Sequence, residues 1–234
     1  MRIIRDERHI SVRSSIGQYA TLGGLLVLLL GLGISFLRPG WSIPLLISMG
    51  LGFTLSVVGG SFADRYAGSL AHHKALAEVL KGLDYRHTLL QYVLPAHHVL
   101  LEPGGCTCFV VKTQGGVVAY EGGRWMHRQR GSFFRRLVGQ EGVGSPDVDA
   151  QREVDRLVAY LQAQMTDADE VPVRGVVAFV NENVQLEAED APVPAFYRKK
   201  VKDWLRGPGD LKPLPADLYR QLTVALGAQE EEPD

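Results

Sequence analysis

Between Arg13 and Asp64 the sequence carries one charged residue, Arg38. So long a stretch without charge does not suit a solvated surface and points to a hydrocarbon environment. Cysteine is also scarce, with only Cys106 and Cys108. A Cys-x-Cys pair excludes a disulfide framework and gives no sign of an oxidising compartment. Net charge is nearly absent, at -1 from 25 basic and 26 acidic residues. Bulk charge therefore marks neither a nucleic-acid binder nor an acidic-surface protein. What charge there is lies unevenly: Arg2, Arg5, Arg8 and Arg13 crowd the N-terminus, and four acids lie among the last five residues. A chain of 234 residues allows one ordinary domain plus something small.

The uncharged stretch divides into two runs, 14–37 and 39–63, on either side of Arg38-Pro39-Gly40. Each run exceeds the ~20 residues that cross the hydrocarbon core of a bilayer, and a backbone in lipid must be helical. Arg38-Pro39-Gly40 is a turn signal, and Trp41 suits the interface. The expected organisation is a basic cytoplasmic N-terminus over 1–16, a first span over 17–37 and an external loop over 38–42. A second span over 43–63 and a cytoplasmic domain over 64–206 follow, and residues 207–234 form a linker, a short helix and an acidic tail. Four arginines before the first span, with Arg65 and Lys74 after the second, place both termini in the cytoplasm by the positive-inside rule. Ser48, Gly52, Ser56 and Gly60 recur every four residues. They suit packing against the glycines of the first span (Gly24, Gly31, Gly33) or self-association in the membrane.

From Asp64 the texture becomes that of a globular domain. His72–Leu83 has helical apolar spacing, Tyr85–Leu94 reads as extended and His97–Leu101 as a short strand. Pro103-Gly104-Gly105 is a turn, and Cys106–Thr113 is an apolar strand. Gly115-Gly116 is expected to turn the chain, so that Val117–Tyr120 pairs with that strand as a hairpin. Asp149–Gln164 is expected as a helix, Val173–Val180 as a buried strand, Ala195–Arg206 as a basic helix and 215–226 as a last helix. The fold class is α/β (α+β), a mixed sheet flanked by helices.

Several groups invite chemistry. His72-His73 and His97-His98, with Cys106 or Cys108, contain zinc-ligand types, but their spacing matches no zinc signature and ordinary polar histidines suit the pattern better. Cys106 and Cys108 share a strand face and suit a core better than a redox pair. Arg124, Arg128, Arg130, Arg135 and Arg136 lie in a stretch with Trp125, Phe133 and Phe134 and no acid. That composition suits nucleic acid, anionic lipid headgroups or a solvated loop. Arg198–Arg206 is a second basic stretch.

The segment His97–Lys112 (HHVLLEPGGCTCFVVK) resembles the nuclease-related domain family, whose pattern is Ile-Asp-His, strand, Gly-Pro-Gly-Gly, strand, Glu-x-Lys. Trp125, Pro146 with Gln151, and the run 173–180 fit later pieces of the same pattern, so the resemblance spans about residues 70–200. It implies a restriction-endonuclease-like fold and a phosphodiester-cleaving ancestry in which Asp and Glu hold Mg²⁺. At the acidic positions this chain has His97 and Val110, and His73 where the family often has an early Glu; Lys112 alone of the catalytic set remains. The resemblance therefore implies a bacterial inner-membrane protein whose domain binds nucleic acid, lipid or a protein without catalysis. No metal or cofactor is expected, and Mg²⁺ would enter only if the chain were an active membrane-tethered nuclease.

Overall fold

The computed structural model describes the whole chain except Pro39, Trp41, Ser69, residues 129–141, Pro208, Asp210 and residues 230–234; the side chain of Asp64 is also outside the description. The described residues fall in two compact units. One comprises Met1–Asp6, His73–Arg128 and the chain from Val143; the other holds Glu7–His72.

The second unit is a pair of helices, α1 (Glu7–Leu37) and α2 (Ser42–Tyr66). Both are long and apolar enough to cross a membrane, and their large apolar side chains, Leu22, Leu26, Leu30, Leu46 and Phe53 among them, are exposed. The residues buried on α1 are Ile10, Gly17, Gly24 and Gly31, seven apart throughout. A seven-residue repeat keeps one seam of a helix facing its neighbour. On α2 the buried Gly52, Gly59 and Tyr66 keep the same interval. The two repeats meet in antiparallel register. A Cβ on Gly24 would lie 2.8 Å from the Gly52 carbonyl oxygen, one on Gly17 would lie 3.3 Å from that of Gly59, and one on Gly31 would collide with Ser48. The hydroxyls nearby are satisfied within their own helices: Thr21 donates to Gly17 O and Ser48 to Leu45 O. Ser48, Gly52 and Ser56 thus serve packing within the hairpin, and in the last turn the glycine at the seam is Gly59 rather than Gly60.

The first unit is built on a six-stranded mixed sheet. Its strands are β1 (Arg2–Arg5), β2 (Thr88–Gln91), β3 (His98–Glu102), β4 (Gly105–Lys112), β7 (Val173–Phe179) and β9 (Ala195–Tyr197), adjacent in that order. A second sheet has β5 (Gly116–Glu121) between β6 (Arg124–Arg128) and β8 (Val184–Glu187). The helices are α3 (His72–Leu80), α4 (Pro146–Gln164), α5 (Arg198–Leu205) and α6 (Ala216–Ala225).

Strand alternation divides the core. Leu90, Val99, Leu101, Cys106 and Cys108 point to one face, where Leu157 and Leu161 of α4 and Leu218 and Leu222 of α6 cover them. Leu89, Leu100, Phe109, Val111, Val176 and Ala178 point to the other, beneath Leu76, Val79 and Leu80 of α3 and Val201 and Leu205 of α5. A sheet covered on both faces explains the near-continuous apolar runs of β4 and β7. The Pro103-Gly104 turn joins β3 to β4, and the two glycines of the Pro-Gly-Gly run sit where a side chain would strike Leu211 (at Gly104) or Pro172 (at Gly105).

Five expectations are corrected. The N-terminus is not only a basic flank, because Arg2–Arg5 pairs in parallel with Thr88–Gln91 and α1 already begins at Glu7. β5 is not the hairpin partner of β4: β3 and β7 already occupy both edges of β4, so β5 pairs instead with β6 and β8. Arg124–Arg128 is a strand rather than a loop, entered through Gly122-Gly123 with φ of 55° and 76°, the two-residue turn that matches strand twist. The helix expected over 195–206 is shortened by β9, and α6, the short helix expected outside the domain, packs into its core, since Leu222 is fully buried.

Candidate functional site

Three of the four motif positions come together on the face covered by α4. In the β3–β4 pairing Val99 faces Cys108; Val110 follows Cys108 on the same strand face, and His97, just before β3, is held to α4 of that side by Glu153. Lys112 follows Val110 on the same face by the period of two. Val110 is half-buried against Val118, Val177 and Phe179. It has no lone pair to offer a metal.

The polar groups beside it are already paired. Lys112 Nζ lies 2.9 Å from Asp149 Oδ2, with only 14% of the lysine side chain exposed. One turn on, Glu153 receives the His97 backbone N–H at 2.7 Å, the His97 Nδ1–H at 2.9 Å and Arg156 Nη1 at 2.6 Å. Burial opposes ionisation of Glu153, but the His97 hydrogen bonds and the charges of His97 and Arg156 outweigh it and hold the carboxyl below its usual range. α4 thus sets two carboxylates four residues apart against the strand face, and each is engaged by cations or N–H donors of this chain. Asp149 and Glu153 were not singled out from the sequence. The legible signal was Glu153 itself, an acid inside the apolar stripe of Ala150, Leu157 and Leu161.

His73 lies on α3, toward the other face. It is 2% exposed, and burial, with the charges of Arg5 and Lys74, lowers its pKa to about 4. Its Nδ1 has no hydrogen-bond partner among the described residues. Gln91 Nε2 donates to its carbonyl at 2.8 Å. The ring of Tyr92 stands among the three histidines, 6.4 Å from His73, 5.8 Å from His97 and 4.8 Å from His98. Tyr92 is held at φ 60°, a left-handed conformation that costs a non-glycine residue roughly 1–2 kcal/mol. The imidazoles therefore pack on one aromatic ring. Among the described residues no group of three or more His, Cys, Asp or Glu is placed to hold a metal ion. Cys106 and Cys108 are buried in the core, where burial raises both thiols well above their usual range.

Glu102 is the last residue of β3. Its carboxylate is 3% exposed, accepts from the Thr107 hydroxyl, and lies 3.2 and 3.3 Å from Arg174 Nη2. Arg174 also stands over the Trp204 ring at 4.4 Å. Burial pushes the Glu102 carboxyl up, against Thr107 and Arg174. This carboxylate braces β3, β4 and β7 and supplies no ligand.

The other motif positions are structural in their contacts. Trp125 Nε1 donates to Asp147 at the start of α4, and its ring packs on Tyr120 and Phe179. Gln151 points to solvent and donates to Asp155. On β6, Arg124, Met126 and Arg128 alternate on the exposed face, and Arg128 pairs with Glu121 at 3.1 Å. Arg130, Arg135 and Arg136 lie outside the described residues. Compared with known proteins, the chain matches no family model, no curated protein and no solved structure.

Proposed function

We propose that this is a two-pass membrane protein whose other unit is a catalytically degenerate relative of the nuclease-related, restriction-endonuclease-like domains, acting as a binding module. The observation that carries the reading is Val110 at the Glu position of β4, with Lys112 engaged by Asp149. The residues present do not fit Mg²⁺, which needs hard oxygen ligands at that point. The family resemblance itself is supported by the order in which its pieces occur: the Pro-Gly-Gly turn between β3 and β4, Lys112 ending β4, Pro146 opening α4, and β7 beside β4.

Both ends of the membrane hairpin open to one side in this reading. This is supported by the pairing of β1, which precedes α1, with β2, which follows α2. The arginine count makes that side cytoplasmic, a bacterial inner membrane being the setting the resemblance implies. The binding surface is the exposed row of Arg124 and Arg128 on β6, continued in sequence by Arg130, Arg135 and Arg136. Nucleic acid is the ligand to try first, because a run of arginines on an exposed strand face suits contact with a phosphate backbone; anionic lipid headgroups and a protein partner are the other outcomes.

The test uses the full chain in phosphatidylcholine nanodiscs with single- and double-stranded DNA and RNA. The expected result is binding that weakens steeply with salt, falls for all sequences alike when the five arginines become glutamine, and is accompanied by no cleavage with Mg²⁺ or Mn²⁺. Cleavage abolished by Lys112→Ala would overturn the degenerate-site reading. Absence of binding at low salt would remove nucleic acid and leave lipid or protein.

A further inference from the structure

A cavity of about 440 Å³ opens at the β1 edge of the six-stranded sheet, beside α6, and it includes none of His97, Val110 and Lys112 and is independent of the function proposed above. Its size is in the range of small-molecule sites. The sheet pairing builds it: Arg2 of β1 faces Thr88 of β2, which faces Leu101 of β3, and all three line the cavity. Leu214, just before α6, continues the apolar floor, and Tyr85 and Tyr219 supply aromatic walls. Tyr85 is 85% exposed, an unusual position for so large a ring.

The polar groups have capacity to spare. A guanidinium offers five N–H donors on three nitrogens. Among the described residues Arg2 uses Nη1 alone, toward Gln229 O at 2.6 Å and Ala228 O at 3.4 Å. The Thr88 hydroxyl makes no hydrogen bond among the described residues. Arg86, also at the cavity, is bidentate on Asp84, so among the described residues Arg2 is the lining cation with unused donors.

We propose that this cavity binds a small ring-bearing anion. The ring lies on the leucine floor between the tyrosines, and the anionic group takes the remaining N–H groups of Arg2 with the Thr88 hydroxyl. The site closes on β1, the strand that leads through Asp6 alone into α1.

The experiment is calorimetric titration of 1-naphthoate into the full chain in phosphatidylcholine nanodiscs, with empty nanodiscs as the reference. Saturable one-to-one binding is expected, at least tenfold weaker for the uncharged 1-naphthamide and at least tenfold weaker in Arg2→Gln. Because Arg2 belongs to a strand, Tyr85→Ala is the second variant: it should weaken binding several-fold with an unchanged unfolding midpoint, since its side chain is in solvent. No saturable binding to the folded chain, equal binding of the amide, or binding indifferent to Tyr85→Ala would each overturn the proposal.

Discussion

The two units of this protein use large apolar side chains in opposite ways. In the sheet unit large apolar side chains, Phe109, Phe179, Leu100 and Leu157 among them, are fully buried. In the helix pair the large side chains are exposed and the seam is made of Gly17, Gly24, Gly31, Gly52 and Gly59. On the two-pass reading proposed above, the difference follows from solvent. In water, burial of apolar area drives packing, at about 25 cal/mol per Å². In lipid no such drive exists between helices, so small residues that let backbones approach take the seam. The same amino acid therefore means different things: Gly104 and Gly105 make room for neighbouring chain at a tight turn, while Gly24 makes room for a helix.

The comparison can be broken most sharply by matched truncations. Phe109→Ala should destabilise the sheet unit by about 3–5 kcal/mol, whereas Leu30→Ala on α1, 59% exposed, should leave helix pairing unchanged. Chemical denaturation of the first and distance measurement between spin labels on α1 and α2 for the second would read this out. An equal effect on both would mean that α1 buries its leucines in protein.

Adjacent glycines sharpen the same point. Gly24→Leu places a side chain against the Gly52 carbonyl, and overpacking of that kind costs about 1–3 kcal/mol, while at Gly23 nothing lies within 4 Å. The labels on α1 and α2 should separate in Gly24→Leu and stay put in Gly23→Leu.

The sheet unit should also carry a pH dependence. His73 binds its proton at about 4 in the folded chain, against an ordinary value of 6.5. The unfolded state therefore binds more protons between those values, and stability falls as pH drops through that window. This group alone makes the unit about 1.4 kcal/mol less stable at pH 5.5 than at pH 7.5. His73→Gln should flatten that part of the profile; an unchanged slope would assign it to another group. The smallest effect is expected at the half-exposed end of the paired site, where Lys112→Gln should cost at most about 1 kcal/mol in denaturant, because Asp149 is 39% exposed.

Much of the sheet was legible because local signals agreed with the fold. The run Val173–Phe179 is buried as its composition requires, and the helix from Pro146 carries its apolar stripe inward. What escaped was non-local or disguised. Arg2–Arg5 reads as a positive flank, and only its pairing with a strand more than 80 residues away makes it a strand. Arg124–Arg128 alternates exposed and half-buried residues, as an edge strand does, yet its arginines suggested a loop. In the hairpin, small residues were found at intervals of four, whereas the seam on α1 repeats at seven. At the site, the positions of His97, Val110 and Lys112 could be read from the pattern, but their partners Asp149, Glu153 and Arg156 could not, since those pairings exist only once α4 lies on the sheet.

The central claim is that the face beneath α4 is closed by its own ion pairs and holds no divalent ion. Titration of Mn²⁺ into the full chain in phosphatidylcholine nanodiscs, followed by electron paramagnetic resonance, tests it directly. The account predicts the spectrum of free Mn²⁺ at every ratio, matching empty nanodiscs. Stoichiometric loss of that signal, restored by Asp149→Asn or Glu153→Gln, would contradict it and make those carboxylates the ligands of a working site.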